Sequence, residues 1–575
     1  MRFIIIILIL SGCGVNAQSI KNIAAFYSDE NRVDFLGDVK LQNGGLILLN
    51  TINGNLHYNG TKIANDGFLN YNSDNLYQKY VVRYDQNNKL KKVISFIAKS
   101  PTFQGVPGQK APHIQSFNAT LIDDFVYIFG SCTNTDSLFL NDKLLRKFDG
   151  NLGFVLKFDQ ELNLLEEYYF GDSEEYIGFR LYNLYKYKDE FILSGVILTT
   201  SKVATQVIGI GSDTLVHKPY RDCASNTFFV VKIDESFTHI KRKFKYFYCN
   251  GYFYPPNSFT ISPAGDVILT QIFYGDTLQY SPGKVSSKLK GMYNGALISL
   301  DENLSVNYVN TISGNRFNEF TKTVFCGDKL LVFAKANDYQ PNIFMKENVF
   351  LNNDSIELTS RYTNLILSCD EDGTLTVLKK EDCYFGASDW NDLQCTEDNY
   401  VLATGYTDCK LSWGKEGVVR RINVMDGSTI DEFIFTMPNK RNADLYKIYI
   451  NEQGEYKNIG FASNFTGNQP ASVDLIYNGI GFSAQAGESI ILFDYDPKTG
   501  IKEVPEANLQ LMSPLMAGQE FKVFNGLERD RYQIYDLMGR SRGVIYDGET
   551  WPEGMHGMYI IFAEKGCKRG SVVTY

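Results

Sequence analysis

An apolar strand that ends in an aspartate recurs seven times along this chain, and this repeat constrains the fold more than any other feature. The aspartates that end it are Asp85, Asp159, Asp234, Asp301, Asp370, Asp426 and Asp494. They follow one another at steps of 74, 75, 67, 69, 56 and 68 residues. Because roughly seventy residues are enough for one four-stranded sheet, the spacing predicts a repeat architecture.

The composition favours an all-β protein. Aromatic residues make up 14% of the chain, with 37 tyrosines and 40 phenylalanines, and they alternate with turns rich in Gly, Asn and Asp. Aromatic and β-branched residues bounded by such turns are typical of strands. No window combines sustained helical periodicity with caps at both ends.

Each repeat is expected to supply four strands. In the second repeat these are Phe117–Ile122, Phe125–Phe129, Phe154–Asp159 and Leu164–Phe170. A four-stranded sheet with two apolar faces must be covered on both sides, and a radial arrangement of seven copies does this. The sequence therefore predicts a seven-bladed β-propeller of four-stranded antiparallel blades, with the first strands lining a central channel.

A ring of blades must also protect its last edge. The segment Asn22–Tyr27 resembles Val306–Ile312, which is the fourth strand of a later repeat. We therefore predict that this N-terminal segment is a displaced fourth strand that pairs beside Ser489–Asp494 and closes blade seven.

The turns between third and fourth strands carry Asp, Asn or Gly, whose side chains or positive φ angles suit tight turns. A calcium loop is the alternative, and Asp494–Gly500 comes nearest to one. Lys498 stands there at a position that needs an oxygen ligand. A hairpin turn is the favoured interpretation, and no metal or cofactor site is predicted.

The N-terminus is typical of an export signal at residues 1–17. Arg2 supplies a positive start, residues 3–10 are apolar, and cleavage after Ala17 would leave Gln18 first. The alternative is a lipobox in which Cys13 is lipidated. No transmembrane span is expected, because about 20 apolar residues are required and no later segment supplies them.

The charge and cysteine content limit the possible partners. The net charge is −10 without a prominent Lys/Arg cluster, which disfavours nucleic acid as a partner. Ten cysteines are too few for a disulfide scaffold of this size, but export permits individual bridges. Cys223 and Cys249 lie symmetrically about Ser236, at a turn between two predicted strands, so they are a candidate pair. Alternatively both are small buried apolar residues.

The repeat resembles the bacterial β-propeller repeats of the SBBP type. The resemblance rests on a Gly- or Asp-led turn, an aromatic-Val-x-Lys-x-Asp strand and a Leu-rich strand, and it covers roughly residues 20–500. Arg421–Asp426 and Ser489–Asp494 lack the basic residue before the final Asp. The resemblance agrees with a propeller domain over residues 18–504.

The C-terminus resembles the sorting domain of the type IX secretion system of Bacteroidetes. The residues that carry this resemblance are Tyr532, Ile534, Tyr535, Asp536, Gly539, Arg540, Gly557 and Tyr559. The resemblance implies a small β-sandwich over residues 505–575 that the outer-membrane translocon recognises, and it places the protein outside the cell or on the outer-membrane surface. Ser513-Pro514 stands where the family commonly has Asn-Pro. An ordinary terminal β-domain, such as a carbohydrate-binding module, is the alternative.

A triplet of Asp, Ser or Thr, and an apolar residue recurs between second and third strands. It begins at Asp136, Asp213, Asp276 and Asp354. It resembles the O-glycosylation sequon of exported Bacteroidetes proteins. The alternative is a turn-to-strand junction in which Asp caps the turn.

Catalytic residues are not predicted, since GxSxG, HExxH and Walker motifs are absent from the sequence. The favoured function is therefore an exported propeller that binds protein or glycan without catalysis. The aromatic run Tyr246–Pro255 could anchor a ligand or simply pack between blades. The rival is a propeller hydrolase or lyase for extracellular polysaccharide, which requires paired carboxylates. Several carboxylates and a histidine converging at one channel mouth would favour that rival.

Overall fold

The computed structural model describes strands and the turns that join them, and these residues contain no helix, so the prediction of an all-β protein is confirmed. The described residues are 21–28, 32–53, 56–58, 61–64, 78–100, 113–173, 178–198, 206–210, 212–217, 226–248, 258–274, 277–280, 284–286, 293–314, 317–337, 348–352, 354–358, 362–383, 389–396, 398–407, 416–435, 442–450, 456–463, 465–466, 469–470, 473–477, 480–484, 488–495, 531–536, 541–546, 559–563 and 572–573. Over these ranges no helix is long and apolar enough to cross a membrane.

The chain forms two compact bodies. The large body comprises Asn22–Asp494, and the small body combines Met1–Lys21 with Tyr495–Tyr575. The predicted limit of the sorting domain at residue 505 stays a prediction.

The large body is built from four-stranded antiparallel sheets that follow one another along the chain, here called modules. Its first strands are β1 (Lys21–Ser28), β2 (Arg32–Lys40), β3 (Leu46–Asn53), β4 (Leu56–Tyr58), β5 (Thr61–Ala64), β6 (Gln78–Tyr84), β7 (Leu90–Lys99), β8 (His113–Ile122), β9 (Phe125–Leu140), β10 (Lys143–Phe158) and β11 (Leu164–Ser173). Module 1 has the strand order β2-β3-β6-β7, and module 2 has the order β8-β9-β10-β11.

The next strands repeat this pattern. They are β12 (Gly178–Tyr187), β13 (Glu190–Leu198), β14 (Gln206–Ile210), β15 (Asp213–His217), β16 (Asn226–Asp234), β17 (Ile240–Tyr248), β18 (Ser258–Ile261), β19 (Val267–Tyr274), β20 (Thr277–Tyr280), β21 (Lys284–Ser286), β22 (Tyr293–Leu300) and β23 (Val306–Ser313). Module 3 has the order β12-β13-β16-β17, and module 4 has the order β18-β19-β22-β23.

The last part of the large body adds three modules. Its strands are β24 (Phe317–Cys326), β25 (Lys329–Asn337), β26 (Asn348–Leu351), β27 (Asp354–Glu357), β28 (Tyr362–Cys369), β29 (Leu375–Cys383), β30 (Asp389–Cys395), β31 (Tyr400–Thr407), β32 (Glu416–Asn423), β33 (Thr429–Phe435), β34 (Asn442–Ile450), β35 (Tyr456–Ser463), β36 (Phe465–Thr466), β37 (Gln469–Pro470), β38 (Val473–Tyr477), β39 (Ile480–Ala484) and β40 (Glu488–Tyr495). Module 5 has the order β24-β25-β28-β29, module 6 has β30-β31-β32-β33, and module 7 has β34-β35-β40-β1.

The fourth strand of module 7 comes from the other end of the chain. β1 lies beside β40 in the sheet, which is the pairing that the comparison of Asn22–Tyr27 with Val306–Ile312 predicts. β4 then pairs with β1, with Phe26 opposite Tyr58. The outer edge of module 7 is therefore covered by a hairpin of module 1.

The same kind of cover recurs between other modules. A hairpin between the second and third strands of one module, here called its arm, pairs with the fourth strand of the preceding module. The arm formed by β9 and β10 pairs with β7, β14 with β11, β20 with β17, and β26 with β23. The sequence patterns did not predict these arms, which cover edges that would otherwise be open to aggregation.

Apolar cores lie between successive modules. One core joins Phe129 and Val155 of module 2 to Leu193 and Phe229 of module 3. Another joins Leu46 and Tyr84 of module 1 to Ile459 and Leu492 of module 7. Modules 2 and 3 therefore share one core, and modules 1 and 7 share another.

In modules 1 to 6 the turns after the third strands are hairpin turns, as predicted. In module 2 the Leu162 N–H donates to the Asp159 carbonyl at 3.0 Å, and the Asn163 N–H donates to Asp159 Oδ1 at 2.8 Å. No group of three or more His, Cys, Asp or Glu that could hold a metal ion occurs among the described residues. Asp494, the first residue of the calcium-loop alternative, is buried in β40, and residues 496–500 lie outside the described part of the chain.

Most first strands carry a β-bulge at the same place. The register shifts lie at Phe35/Gly37, Ile114/Ser116, Leu181/Asn183, Phe320/Lys322, Trp390/Asp392 and Leu445/Lys447. Bulges change the direction of the side chains that follow them and are frequent near functional sites.

The small body contributes one four-stranded sheet within the described residues. Its strands are β41 (Arg531–Asp536), β42 (Ser541–Tyr546), β43 (Tyr559–Ala563) and β44 (Val572–Val573), in the order β42-β41-β43-β44. The β-sandwich stays a prediction.

Candidate functional site

First strands of five modules bring ionisable side chains into electrostatic contact. These residues, here called the first-strand cluster, are Asp38 of β2, Tyr185 of β12, Lys322 of β24, Asp392 of β30 and Lys447 of β34. Lys322, Asp392 and Lys447 directly follow the bulges of their strands. Charged side chains therefore occupy the position after the bulge in three modules.

Lys447 and Asp392 form the ion pair of the cluster. Lys447 Nζ lies 2.8 Å from Asp392 Oδ1, with side-chain exposures of 35% and 16%. The two strands are also joined by Asn391 Nδ2, which donates to the Leu445 carbonyl at 2.9 Å. Burial lowers the pKa of Lys447, but Asp392 and Asp38 outweigh it, so the pKa lies above its usual range. Lys447 therefore remains a cation.

Asp38 is the unusual member. Both of its carboxylate oxygens are inaccessible to solvent and have no hydrogen-bond partner among the described residues. Burial raises the pKa of Asp38 to about 7, against the attraction of Lys447 and with added repulsion from Asp392. Asp38 therefore takes up a proton at a higher pH than an ordinary aspartate does.

The same surroundings shift the pKa values of the other two members, Lys322 and Tyr185. Burial lowers the pKa of Lys322, and the positive charge of Lys447 lowers it further. Burial raises the pKa of Tyr185, whose Oη donates to the Phe259 carbonyl at 3.0 Å. The cluster thus combines two carboxyl groups, of which Asp38 has a raised pKa, with two lysines and one tyrosine. It contains no histidine. Of the features that would favour a polysaccharide hydrolase or lyase, the cluster therefore has carboxylates but lacks the histidine.

An exposed Ser-His-Asp group lies elsewhere, at the turn that ends β16. Ser212 Oγ lies 2.8 Å from His239 Nδ1, and Asp213 Oδ2 lies 3.9 Å from the same nitrogen. A catalytic triad needs its serine and its carboxylate on opposite ring nitrogens. Ser212 Oγ instead donates to the Thr238 carbonyl, and Asp213 accepts the Ile240 N–H at 2.7 Å. This group connects an arm to a turn and lacks triad geometry.

A disulfide joins Cys326 to Cys395, which the sequence patterns did not predict. Their Cα atoms are 5.3 Å apart, and they lie at the ends of the first strands of modules 5 and 6. Their separation of 69 residues matches a step of the repeat, and this spacing is the sequence feature that could have predicted the disulfide. The predicted pair of Cys223 and Cys249 lies outside the described residues.

Some predicted sorting residues come together in the small body. Tyr532, Ile534, Tyr535 and Asp536 lie on β41, the strand between β42 and β43. Asp536 is opposite Tyr559 on β43. Gly539, Arg540 and Gly557, together with the predicted cleavage residues Ala17 and Gln18, lie outside the described residues.

The aromatic run Tyr246–Pro255 is described only up to Tyr248. Tyr246 is buried, stacks on Phe228 at 4.9 Å between ring centroids, and donates to Gln271 Oε1 at 2.9 Å. For Tyr246 the packing interpretation is therefore correct.

The recurring Asp-Ser/Thr-apolar triplets lie at or in the arms. Their apolar residues Leu138, Leu215, Leu278 and Ile356 are buried. The hydroxyl-bearing residues differ, because Thr214 and Ser355 are exposed whereas Ser137 is buried. Packing of the arm explains the apolar position without any modification.

Comparisons with known proteins give little. No protein-family model matches the chain, and no curated protein matches it. A solved structure that it resembles is PorZ, described as an essential bacterial surface component of the type IX secretion system of Porphyromonas gingivalis. That match has 8% identity and a TM-score of 0.18, and it covers 95% of this chain and 81% of PorZ. A likeness this low carries no argument about fold or function.

Proposed function

We propose that the chain is an exported or cell-surface protein in which a seven-bladed β-propeller, closed by its N-terminal strand, serves as a binding or scaffold module without catalysis. The observation that carries this proposal is the series of contacts between first strands that returns to its starting point. The series runs from β2 through β8, β12, β18, β24 and β30 to β34, and then back to β2.

Hydrogen bonds between modules 7 and 1 support the last contact of this series, from β34 back to β2. Lys40 Nζ of module 1 donates to the Ile450 carbonyl of module 7 at 2.5 Å. Lys457 Nζ of module 7 donates to the Gln86 carbonyl in the turn of module 1 at 2.8 Å. Arg83, on the third strand of module 1, donates to the Gln160 carbonyl in the corresponding turn of module 2 at 2.7 Å. Basic side chains of modules 7 and 1 thus both reach the turn after the third strand of the next module in the proposed ring.

An experimental structure tests the architecture. Seven sheets around one axis, with β1 beside β40, are the expected result. Six or eight sheets, or β1 paired elsewhere, would refute the closed ring that we propose.

The disulfide supports the exported location, since disulfides persist in oxidising compartments. The N-terminal signal and the C-terminal resemblance to the type IX sorting domain point the same way. We propose that the translocon recognises residues 505–575 and that the propeller then meets a protein or glycan ligand at the cell surface.

Fractionation of the native host tests the route. We expect the full chain in the medium or on the surface, and a chain ending at residue 504 in the periplasm. Surface delivery of the shortened chain would contradict the sorting role. Mass spectrometry of the mature N-terminus separates Gln18 from a lipidated Cys13.

A second candidate is a hydrolase or lyase for extracellular polysaccharide. It is favoured by Asp38, whose pKa burial raises to about 7 and which lies close enough to Asp392 to be repelled by it, because enzymes of this kind place two carboxyl groups in different environments. Depolymerisation of a polysaccharide panel, lost in both Asp38→Asn and Asp392→Asn, would establish it. Absence of turnover across the panel favours the non-catalytic function.

A further inference from the structure

A cleft of about 520 Å³ lies at the junction of modules 4 and 5. It is bounded by Asn310 of β23, by the arm formed by β26 and β27, and by the turn and strand around Gly373 and Val377. Three separate segments thus meet around one open space.

The cleft opens beside a turn that differs from its counterparts. In modules 2, 3 and 4 the fourth residue of the Asp-led turn has positive φ and a buried apolar side chain, namely Leu162, Phe237 and Leu304. Module 5 has Gly373 at this position, with φ of 88°. A Cβ there would lie 2.5 Å from the ring of Tyr308, so no such side chain can fit. Module 5 therefore lacks the buried apolar side chain that modules 2, 3 and 4 carry at this position.

The floor of the cleft is polar where module 1 is apolar. Asn310 is 5% exposed, and its Nδ2 donates to the Gly373 carbonyl at 2.7 Å. Its Oδ1 accepts from Asn352 Nδ2 at 2.8 Å. The Ser95 N–H of module 1 bonds to the arm of module 2, and the Thr311 N–H of module 4 bonds to the arm of module 5 in the same way. Ile94, which precedes Ser95, is therefore the equivalent of Asn310. These amide hydrogen bonds hold the arm and the turn at a fixed separation.

The walls and the rim have different chemistry. Leu351 and Ile356 are buried apolar side chains, and Val377 extends this apolar surface. The carboxylates of Asp354 and Asp372 are exposed at the rim. Asp372 accepts the Thr374 N–H at 2.8 Å, and this bond holds the pKa of Asp372 below its usual value. The lining residues include no basic and no aromatic side chain.

We propose that this cleft binds a lysine or arginine side chain of a partner protein. Such a side chain has an apolar stem that suits Leu351 and Ile356, and a cationic head that suits the two rim carboxylates. A sugar ring would need an aromatic platform that the lining lacks, and two carboxylates are too few for a calcium site. The inference rests on the proposed binding function and specifies the ligand class at one junction.

Peptides provide the test. Acetylated pentapeptides with one central residue, which is lysine, arginine, norleucine or glutamate, are titrated into the full chain at about 0.15 M salt, where exposed charges are partly screened. We expect the lysine and arginine peptides to bind at least tenfold more tightly than the norleucine peptide. The glutamate peptide should not bind.

Variants locate the site. Asp354→Asn and Asp372→Asn should each weaken binding of the lysine peptide by about threefold, as expected for exposed charge pairs. Asp142→Asn is the matched control, because this exposed arm residue lies at the junction that Leu162 fills. It should leave the affinity unchanged.

Three results would overturn the inference: equal affinity for the norleucine and lysine peptides, unchanged affinity in both rim variants, or no binding of either cationic peptide at millimolar concentration. A different measurement tests the proposed binding function. If the peptide results overturn the inference while a glycan array still shows binding to the full chain, the binding function stands and only this cleft is wrong.

Discussion

Replacing Asp38 by asparagine should change how stability depends on pH. The pKa of Asp38 is about 7 in the folded protein, against an ordinary value of 3.8. Between these values the folded state binds a proton that the unfolded state has lost, so the group makes stability fall as pH rises, and the fall levels off above about pH 7. Asparagine does not titrate, so the variant lacks this contribution.

The size of the effect follows from linkage. For these two pKa values, the contribution of Asp38 to the unfolding free energy becomes less favourable by about 2.5 kcal/mol between pH 5 and pH 8. The unfolding free energy of Asp38→Asn, relative to the natural protein, should therefore rise by about that amount over the same range. Any packing difference of the amide cancels, because it is present at both pH values.

Urea unfolding at several pH values, followed through tryptophan fluorescence to which the buried Trp390 contributes, measures this difference. Asp142→Asn is the control and should show the pH dependence of the natural protein. Parallel stability curves for Asp38→Asn and the natural protein would refute the reasoning. They would mean that Asp38 is hydrated and titrates in the ordinary range.

Three further predictions concern the repeat. Replacing Cys326 and Cys395 by serine should cost about 4 kcal/mol of stability, from the entropy of a 69-residue loop, and a reductant should abolish the difference from the natural protein in urea unfolding. Leu162→Ala should cost about 3 kcal/mol through lost burial, and Leu162→Gly should be no worse, since φ of 60° suits glycine; a larger loss for glycine would contradict the turn geometry. If the Asp-Ser/Thr triplets are glycosylated, peptide mapping of native protein should find the modification at the exposed Thr214 and Ser355 and not at the buried Ser137.

The periodic features of this fold were predictable because they are local. The Asp-led turns recur at steps of 56 to 75 residues, and in modules 1 to 4 the turn combines a backbone bond with a bond to the aspartate side chain. The alternating first strands and the likeness of Asn22–Tyr27 to Val306–Ile312 are also readable from short segments. Patterns of this kind depend only on neighbours in the chain.

The features that were missed depend on contacts between modules. Each arm is a short hairpin whose partner strand belongs to the preceding module, so its own sequence gives little strand signal. The first-strand cluster requires residues as distant as Asp38 and Lys447 to meet. Cys326 and Cys395 are an intermediate case, because their spacing of one repeat step pointed to equivalent positions.

Comparison of equivalent positions separates structural residues from candidate functional ones. A position with the same chemistry in several modules, such as the buried Leu162, Phe237 and Leu304, serves the packing that all modules share. Gly373 departs from that rule, and the cleft opens beside it. The residue after the first-strand bulge departs in the same way, because it is Ser116 in module 2 but Asp392 and Lys447 in modules 6 and 7. Packing does not require a charge there, since module 2 forms the same bulge without one, so the charges of modules 6 and 7 are candidates for a role other than packing.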